Sequence, residues 1–404
     1  MSRAALIVVA LLLTAPLVAS EQTDRQKKGE WKFSGSAGVE QRWFWNDASF
    51  TGQLEGGQGS LTLEPEFRFR SADRKHQVNI LPFLRVDGED DERSHFDLRE
   101  AYYRYVGDDW ELLVGVNRVF WGVTESLHLV DTLNQVDAVE DIDGEDRLGQ
   151  PMVSVALQRD WGRLEAFVLP RFRERTFPGI DGRLRTPLPV DDDRPVYESG
   201  AEDGRVDLAL RWSHYIGDWD IGVHAFHGTG REPSFVPSTN GQSLRPVYAV
   251  TSQLGIDVQY TRGAWLYKLE SLVREGQGDT FGAAVGGFEY TFYQLGRSAM
   301  DLGLLAEYLW DDRDMAAPPT PFDDDVFVGS RLGFNDSSDT EILVGAVVDT
   351  NNGSISGVLE AERRLSDRFN LEFESRMFAN IDAGDPLAAL AQDSFVTLRL
   401  SIGF

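Results

Sequence analysis

The chain has 404 residues, no cysteine, 26% charged residues and a formal net charge of −27. Its length suits one large domain or two average ones, and without cysteine it has neither disulfides nor thiolate metal ligands. So acidic a chain lacks the positive footprint that nucleic-acid binding needs.

Residues 1–20 read as a cleavable secretory signal. Arg3 supplies a short positive start, residues 4–13 are apolar, Thr14 and Pro16 break the run, and Val18-Ala19-Ser20 offers small residues before a cut at Glu21. A short polar segment, 21–30, follows, too short for an N-terminal plug domain. From there on no apolar run approaches the roughly 18 residues that a membrane helix needs.

The period from residue 31 to 404 is two. In Leu61-Thr62-Leu63-Glu64-Pro65-Glu66-Phe67-Arg68-Phe69-Arg70 the odd positions are apolar and the even ones polar or charged. Segments 265–270, 371–377 and 396–404 repeat the pattern, which puts apolar side chains on one strand face and polar ones on the other. A soluble sandwich also alternates. Three features favour a membrane barrel instead: charges in mid-strand, recurring segments of about ten residues, and connections that alternate short and long.

The short connections fall near 72–75, 107–109, 160–162, 216–218, 261–263, 296–298, 335–339 and 366–368, rich in Asp, Gly, Asn and Ser. The long ones fall near 46–58, 87–94, 122–150, 174–203, 230–245, 275–279, 311–324, 350–353 and 379–392. The expectation is a single all-β, antiparallel transmembrane barrel of about 18 strands, with 16 as the alternative. Tryptophan agrees: Trp110, Trp161, Trp219 and Trp265 sit at short turns, and Trp43, Trp45, Trp121 and Trp310 near the opposite strand ends, as two interfacial belts require.

The last strand alternates through Leu398, Leu400 and Ile402 and ends on Phe404. In this it resembles outer-membrane porins, whose terminal strand is read by the barrel-assembly machinery. Asp97-Leu98-Arg99-Glu100-Ala101-Tyr102, Val119-Phe120-Trp121-Gly122, Phe177-Pro178-Gly179 and Asp301-Leu302-Gly303-Leu304-Leu305-Ala306-Glu307-Tyr308 are similar to segments of uncharacterised proteobacterial porin-like barrels. The resemblance implies a bacterial outer-membrane location, among lipid and lipopolysaccharide.

If Leu61, Leu63 and Phe67 face lipid, Glu64, Glu66, Arg68 and Arg70 face the lumen. The same parity places Arg42, Arg99, Arg171, Arg173, Lys268, Glu270, Glu307, Arg331, Glu360, Glu372, Glu374 and Arg376 inside. These groups either line water and set ion preference or satisfy one another. The connection 122–150 combines Leu127, Val130 and Leu133 at a spacing of three with Glu125, Asp131, Asp137, Glu140, Asp141 and Asp143. It either folds inward as a constriction or stays outside as a solvated loop; the sequence leaves both open.

Acidic runs at 87–92, 191–193, 311–314 and 323–325 fall in or beside the long connections. Such hard carboxylates are candidates for Ca²⁺ or Mg²⁺, with Asp141-Ile142-Asp143-Gly144-Glu145 a fragment of a calcium-loop pattern. No other cofactor is expected. No HExxH, GxSxG, phosphate-binding or dinucleotide motif appears, and His224 and His227, three apart on one strand, point to opposite faces. The expected function is therefore a porin-like channel for passive diffusion of small hydrophilic solutes or ions and not an enzyme. The alternative is a non-conducting barrel handling an apolar or lipidic ligand, since Leu81, Phe83, Phe167, Leu169, Leu305, Phe327 and Phe395 share the inward parity. A surface receptor using the outer loops is a third reading.

Overall fold

The computed structural model describes residues 29–404; the signal expected at 1–20 and most of the polar segment after it lie outside the described residues. Eighteen strands form one sheet: β1 (Glu30–Phe44), β2 (Gly57–Arg70), β3 (His76–Asp87), β4 (Phe96–Val106), β5 (Trp110–Asn117), β6 (Gln150–Arg159), β7 (Gly162–Leu169), β9 (Asp207–Ile216) and β10 (Trp219–Thr229), then β13 (Val250–Arg262), β14 (Trp265–Glu275), β15 (Phe281–Phe292), β16 (Asp301–Asp311), β17 (Asp324–Gly333), β18 (Glu341–Asp349), β19 (Ile355–Arg364), β20 (Phe369–Ala379) and β21 (Phe395–Gly403). Each pairs antiparallel with the next, and β21 returns to β1 in the register Ser36↔Gly403 to Phe44↔Phe395. The sheet is therefore a closed barrel of 18 strands rather than 16. Closure leaves no edge, so every strand hydrogen-bonds on both sides. The remaining short strands, β8 (Val196–Tyr197), β11 (Ser234–Pro237) and β12 (Leu244–Tyr248), make a small sheet in the long connections. Their irregular, proline-containing sequence carries no period that would have announced them.

The alternation is obeyed along the wall. On β1, Trp31, Phe33, Val39 and Trp43 are exposed on the outside, while Glu40, Arg42 and Phe44 are buried. On β14, Trp265, Tyr267, Leu269 and Val273 face out and Glu270, Leu272 and Arg274 are buried. A charge on that outer face at mid-membrane would cost about 2–4 kcal/mol. The ladder lapses at one place. Between Leu63↔Leu84 and Phe67↔Ile80 the β2–β3 pairing is interrupted, and β3–β4 slips between Leu81 and Pro82. Pro65 and Pro82 both fall in this stretch, and neither can donate an N–H to the ladder.

The aromatic belts are present, with one correction. Trp110, Trp161, Trp219 and Trp265 are exposed at the short-turn rim, and Trp43, Trp45 and Trp310 at the other. Trp121, expected in the second belt, is instead buried inside the barrel at 5% exposure. It belongs to no strand, because β5 ends at Asn117 and the chain has already turned inward.

Candidate channel site

The connection between β5 and β6, residues 118–149, crosses the lumen. Asn134 ties its two stems together: its side-chain amide donates to the carbonyls of Asn117 and Leu148 (2.9 Å each) and its Oδ1 accepts from the Val119 N–H at 2.9 Å. From there the loop is held by carboxylates of distant strands. Glu270 on β14 accepts the N–H groups of Val123 (2.7 Å), Thr124 (3.0 Å) and Val130 (3.1 Å) and the Thr124 hydroxyl. Glu307 on β16 accepts the N–H groups of Glu125 (2.9 Å) and Ser126 (2.8 Å). These bonds replace the water that irregular backbone inside a barrel would otherwise need, and bonds to a charged acceptor contribute about 1.5–3 kcal/mol each.

The loop's second half is held by ion pairs to the opposite wall. Asp137 meets Arg99 of β4 at 2.8 Å and His95 at 3.1 Å. Glu140 accepts from Arg85 Nε of β3 at 2.7 Å, and the Glu140 carbonyl from Arg42 of β1 at 3.2 Å. Asp141 lies 3.8 Å from Arg42, and Asp143 lies 2.5 Å from Arg376 of β20. Asp131 closes on Arg147 within the loop at 3.0 Å. Glu40, almost fully buried, is the hub beneath, receiving Arg85, Arg93 and Arg399 at 3.0, 2.7 and 2.5 Å. Burial alone would raise the Asp137 carboxyl, but the His95 hydrogen bond and the Arg99 cation outweigh it and hold it below its ordinary value. His95 is raised in turn, because Asp137 outweighs its burial.

The loop divides the lumen unequally. Beside β5 to β10 its apolar first half packs Trp121, Val130 and Leu133 against Leu113, Met152, Phe167, Leu169, Ala209 and Phe226. Trp121 lies 5.7 Å from the Phe167 ring and 5.1 Å from that of His224, with the Arg211 guanidinium 5.1 Å from its face. Arg211 itself pairs with Asp257 at 2.7 Å across Gly222, where an added Cβ would come within 2.3 Å of the guanidinium. This side is largely filled, and it leaves a cavity of about 220 Å³ bounded by Arg104, Glu111, Leu113, Arg163, Glu165 and Phe167.

Beside β17 to β21 the lumen holds two adjoining cavities. The one toward the long loops has about 210 Å³ and includes Phe322, Phe327, Leu387 and Leu390 in its wall. The one toward the short turns has about 670 Å³, and eleven carboxylates line it against four arginines, Arg42, Arg331, Arg376 and Arg399. Glu125, Asp143, Glu145, Leu343, Glu360 and Arg376 belong to both walls and stand where the two cavities adjoin. The tip of the Phe327 ring packs over Gly329 and Gly345; a Cβ on Gly345 would come within 2.5 Å of it. In the loop, Asp143 is pushed up to about 7, by its depth in the protein first and the adjacent Asp141 carboxylate second. Asp146 is pushed up to about 6 by burial and then by Glu140.

Of the residues expected in the lumen, Glu360, Glu372, Glu374, Arg376, Arg42 and Arg331 line the larger cavity. Glu64 lies in the field of Arg118 and Arg99. Glu66 pairs with Arg68 at 2.5 Å, and Arg68 and Arg70 are exposed at the short-turn rim. Arg173 binds Asp97 at 2.6 Å. Lys268 and Arg331 both reach Glu125, at 3.5 and 2.5 Å. Two expectations need correcting. Arg171 is not in the lumen: β7 ends at Leu169, Pro170 follows, and Arg171 turns out to Asp203 at 2.6 Å, well exposed. Glu270 and Glu307 point inward but are sealed under the loop, at 0% and 4% exposure. Glu40 and Arg85 went unnamed although strand parity selects them, Glu40 two residues before Arg42 and Arg85 two after Phe83. Arg93 and His95 lie in a connection, where no parity exists.

Two of the acidic runs supply acceptors to the loops themselves. Asp87 accepts from Ser60 and from the N–H groups of Glu89 and Asp90, and Asp314 accepts from Asp279, Ala316 and Ala317. Asp141 and Asp143 turn to different arginines, Arg42 and Arg376. His95, Asp137 and Glu140 bring three ligand atoms within 4.8 Å of one another, but Arg99 and Arg85 occupy the same carboxylates, which makes this an ion-pair network.

No family model and no curated protein matches the chain. Solved structures do. A BenF-like porin from Pseudomonas fluorescens aligns over 93% of this chain and 98% of its own, with a TM-score of 0.53 at 10% identity. The fold is that of an outer-membrane, porin-type barrel. Pseudomonas aeruginosa OccK11 (OpdR) aligns over 93% and 95%, also with a TM-score of 0.53 at 10% identity. Wzi of Escherichia coli, a carbohydrate-binding β-barrel involved in group 1 capsule assembly, aligns over 92% and 84% with a TM-score of 0.55 at 10% identity.

Proposed function

We propose that the protein is an outer-membrane channel, exported by the 1–20 signal, that passes small hydrophilic solutes by passive diffusion and prefers cations. The observation that carries this reading is the pair of adjoining cavities beside β17 to β21, one toward the long loops and one toward the short turns, which share six wall residues. Eleven carboxylates against four arginines on the larger cavity leave a negative field along the path, and confined water between low-dielectric walls strengthens such a field. Preference is thus set by the lumen rather than by the net charge of −27, to which loop carboxylates such as Asp87 and Asp314, bonded to backbone N–H groups, also contribute. The loop 118–149 is the constriction in this reading. Outer-membrane lipid and lipopolysaccharide surround the apolar exterior, insertion depends on the barrel-assembly machinery, and the protein performs no chemistry of its own.

Planar-bilayer recording of the purified barrel in a KCl gradient tests the proposal. Discrete conductance with a cation-selective reversal potential is expected; a folded, heat-modifiable barrel that carries no current refutes it. The apolar cluster around Trp121 and Phe167 favours the second reading, a non-conducting barrel with an apolar ligand. That reading is preferred if no current flows and a lipid co-purifies in stoichiometric amount.

A further inference from the structure

The two cavities differ in chemistry, and a solute using the passage meets them in sequence. The upper one, about 210 Å³, is walled in large part by Phe322, Phe327, Val347, Leu387 and Leu390. An apolar cavity of about 150 Å³ accepts a benzene ring, so this one holds a single ring or a short alkyl chain. Phe327, almost fully buried against Gly329 and Gly345, backs this wall, and the partly buried Phe322 and Val347 pack on the same cluster. Next come the shared carboxylates Glu125, Asp143, Glu145 and Glu360, with Arg376 the one cation on both walls. Glu125 is partly neutralised by Arg331 and Lys268; Glu145 is exposed toward the cavity space, 3.9 Å from His128. Beyond these carboxylates lies the larger acidic chamber.

A fully hydrophilic cation gains nothing from the first cavity, and an anion is repelled by the second. A neutral apolar solute gains only from the first. From this order, and resting on the channel reading above, we propose that the passage selects small organic cations bearing an apolar group, of the aryl- or alkyl-ammonium class. The apolar group is taken up at Phe322, Leu387 and Leu390 while the ammonium is drawn toward Glu145 and Glu360.

The test uses the purified full-length barrel in planar bilayers. Reversal potentials are measured with KCl opposed in turn to benzylammonium chloride, ethanolammonium chloride and potassium benzoate. Benzylammonium is expected to be at least about threefold more permeant than ethanolammonium, the direction set by burying an apolar ring, and benzoate the least permeant. Phe322→Ser or Leu390→Ser lowers the benzylammonium-to-ethanolammonium ratio toward one; Glu145→Gln with Glu360→Gln lowers the benzylammonium-to-benzoate ratio. Each variant is first shown to be heat-modifiable on a gel, so that a misfolded barrel is not read as a result. Equal permeability of the two ammonium ions through a KCl-conducting wild-type barrel overturns the substrate class and leaves the channel reading standing. So does an unchanged ratio in both serine variants. Absence of any KCl current from the folded barrel overturns the channel reading and this inference with it.

Discussion

The two sides of the lumen are made by the same device and end up opposite in character. Both are inward faces of alternating strands. Beside β5 to β10 the inward positions include Leu113, Phe167, Leu169 and Phe226, which close on Trp121, Val130 and Leu133 as a core. Beside β17 to β21 they include Glu360, Glu372, Glu374, Arg376 and Arg399, which stand around a 670 Å³ cavity. The loop 118–149 is divided in the same way. Its first half is largely apolar and packs, while its second half, with Asp137, Glu140, Asp141, Asp143, Glu145 and Asp146, is anionic and meets arginines. Facing away from lipid is thus one property and facing water is another, and one loop separates them.

The largest expected effect falls on the filled side. Trp121→Ala removes a ring packed on Phe167 and His224, and should cost about 3–5 kcal/mol of stability, read as a lower denaturant midpoint of the folded barrel. The reversal potential in a KCl gradient should not move. If it moves strongly, the two sides are not independent and the comparison fails.

The outer face supplies the next effect. Leu269 is exposed mid-strand on β14, one residue before the sealed Glu270. Leu269→Arg should cost about 2–4 kcal/mol in bilayer refolding titrations. A neutral result would mean that this face does not contact lipid.

Glu270→Gln sharpens the role of the loop. The amide oxygen still accepts from Val123 and Thr124, but its NH2 replaces the oxygen that accepts from Val130 and the charge is lost, at a cost of about 1.5–3 kcal/mol. Single-channel records should become noisier and the mean conductance larger as the loop loosens. Unchanged, quiet records would show that the arginine pairs of the second half suffice to hold it.

The smallest effect is the pH dependence of selectivity. Asp143, pushed up to about 7, and Asp146, pushed up to about 6, gain protons as pH falls through those values. Each loses a negative charge, so cation preference should weaken between pH 8 and pH 5. Because both are raised in the folded state, their protonated forms favour the docked loop. That contribution is complete below their unfolded values near 4 and lost as pH rises through 6 to 7. Asp143→Asn with Asp146→Asn should flatten the reversal-potential profile; a profile that keeps its full slope assigns the titration elsewhere.

Much of the fold was legible before any coordinates. Period-two runs such as 61–70 and 371–377, turn residues at eight short connections and tryptophan at one rim lead to a closed barrel of 18 strands. Each depends on a local rule: a strand's side chains alternate, a tight turn favours Gly, Asp and Asn, and indole prefers an interface. The exceptions mark where those rules stop. Trp121 left its expected belt and Arg171 left the lumen because each lies just past the end of a strand, where alternation no longer says which way a side chain points. Glu270 and Glu307 kept the right face but are covered, because parity gives direction and not occlusion.

What the amino-acid order determined by itself is therefore the cylinder and its sorting of greasy from ionic, since both follow from spacing along one strand. Whether the lumen is filled or hollow, and on which side, was decided only in three dimensions. It depends on where a 32-residue connection lands, and that in turn on carboxylates of β14 and β16 meeting N–H groups more than 130 residues away in the chain. Contacts of that range leave no periodic trace in a sequence.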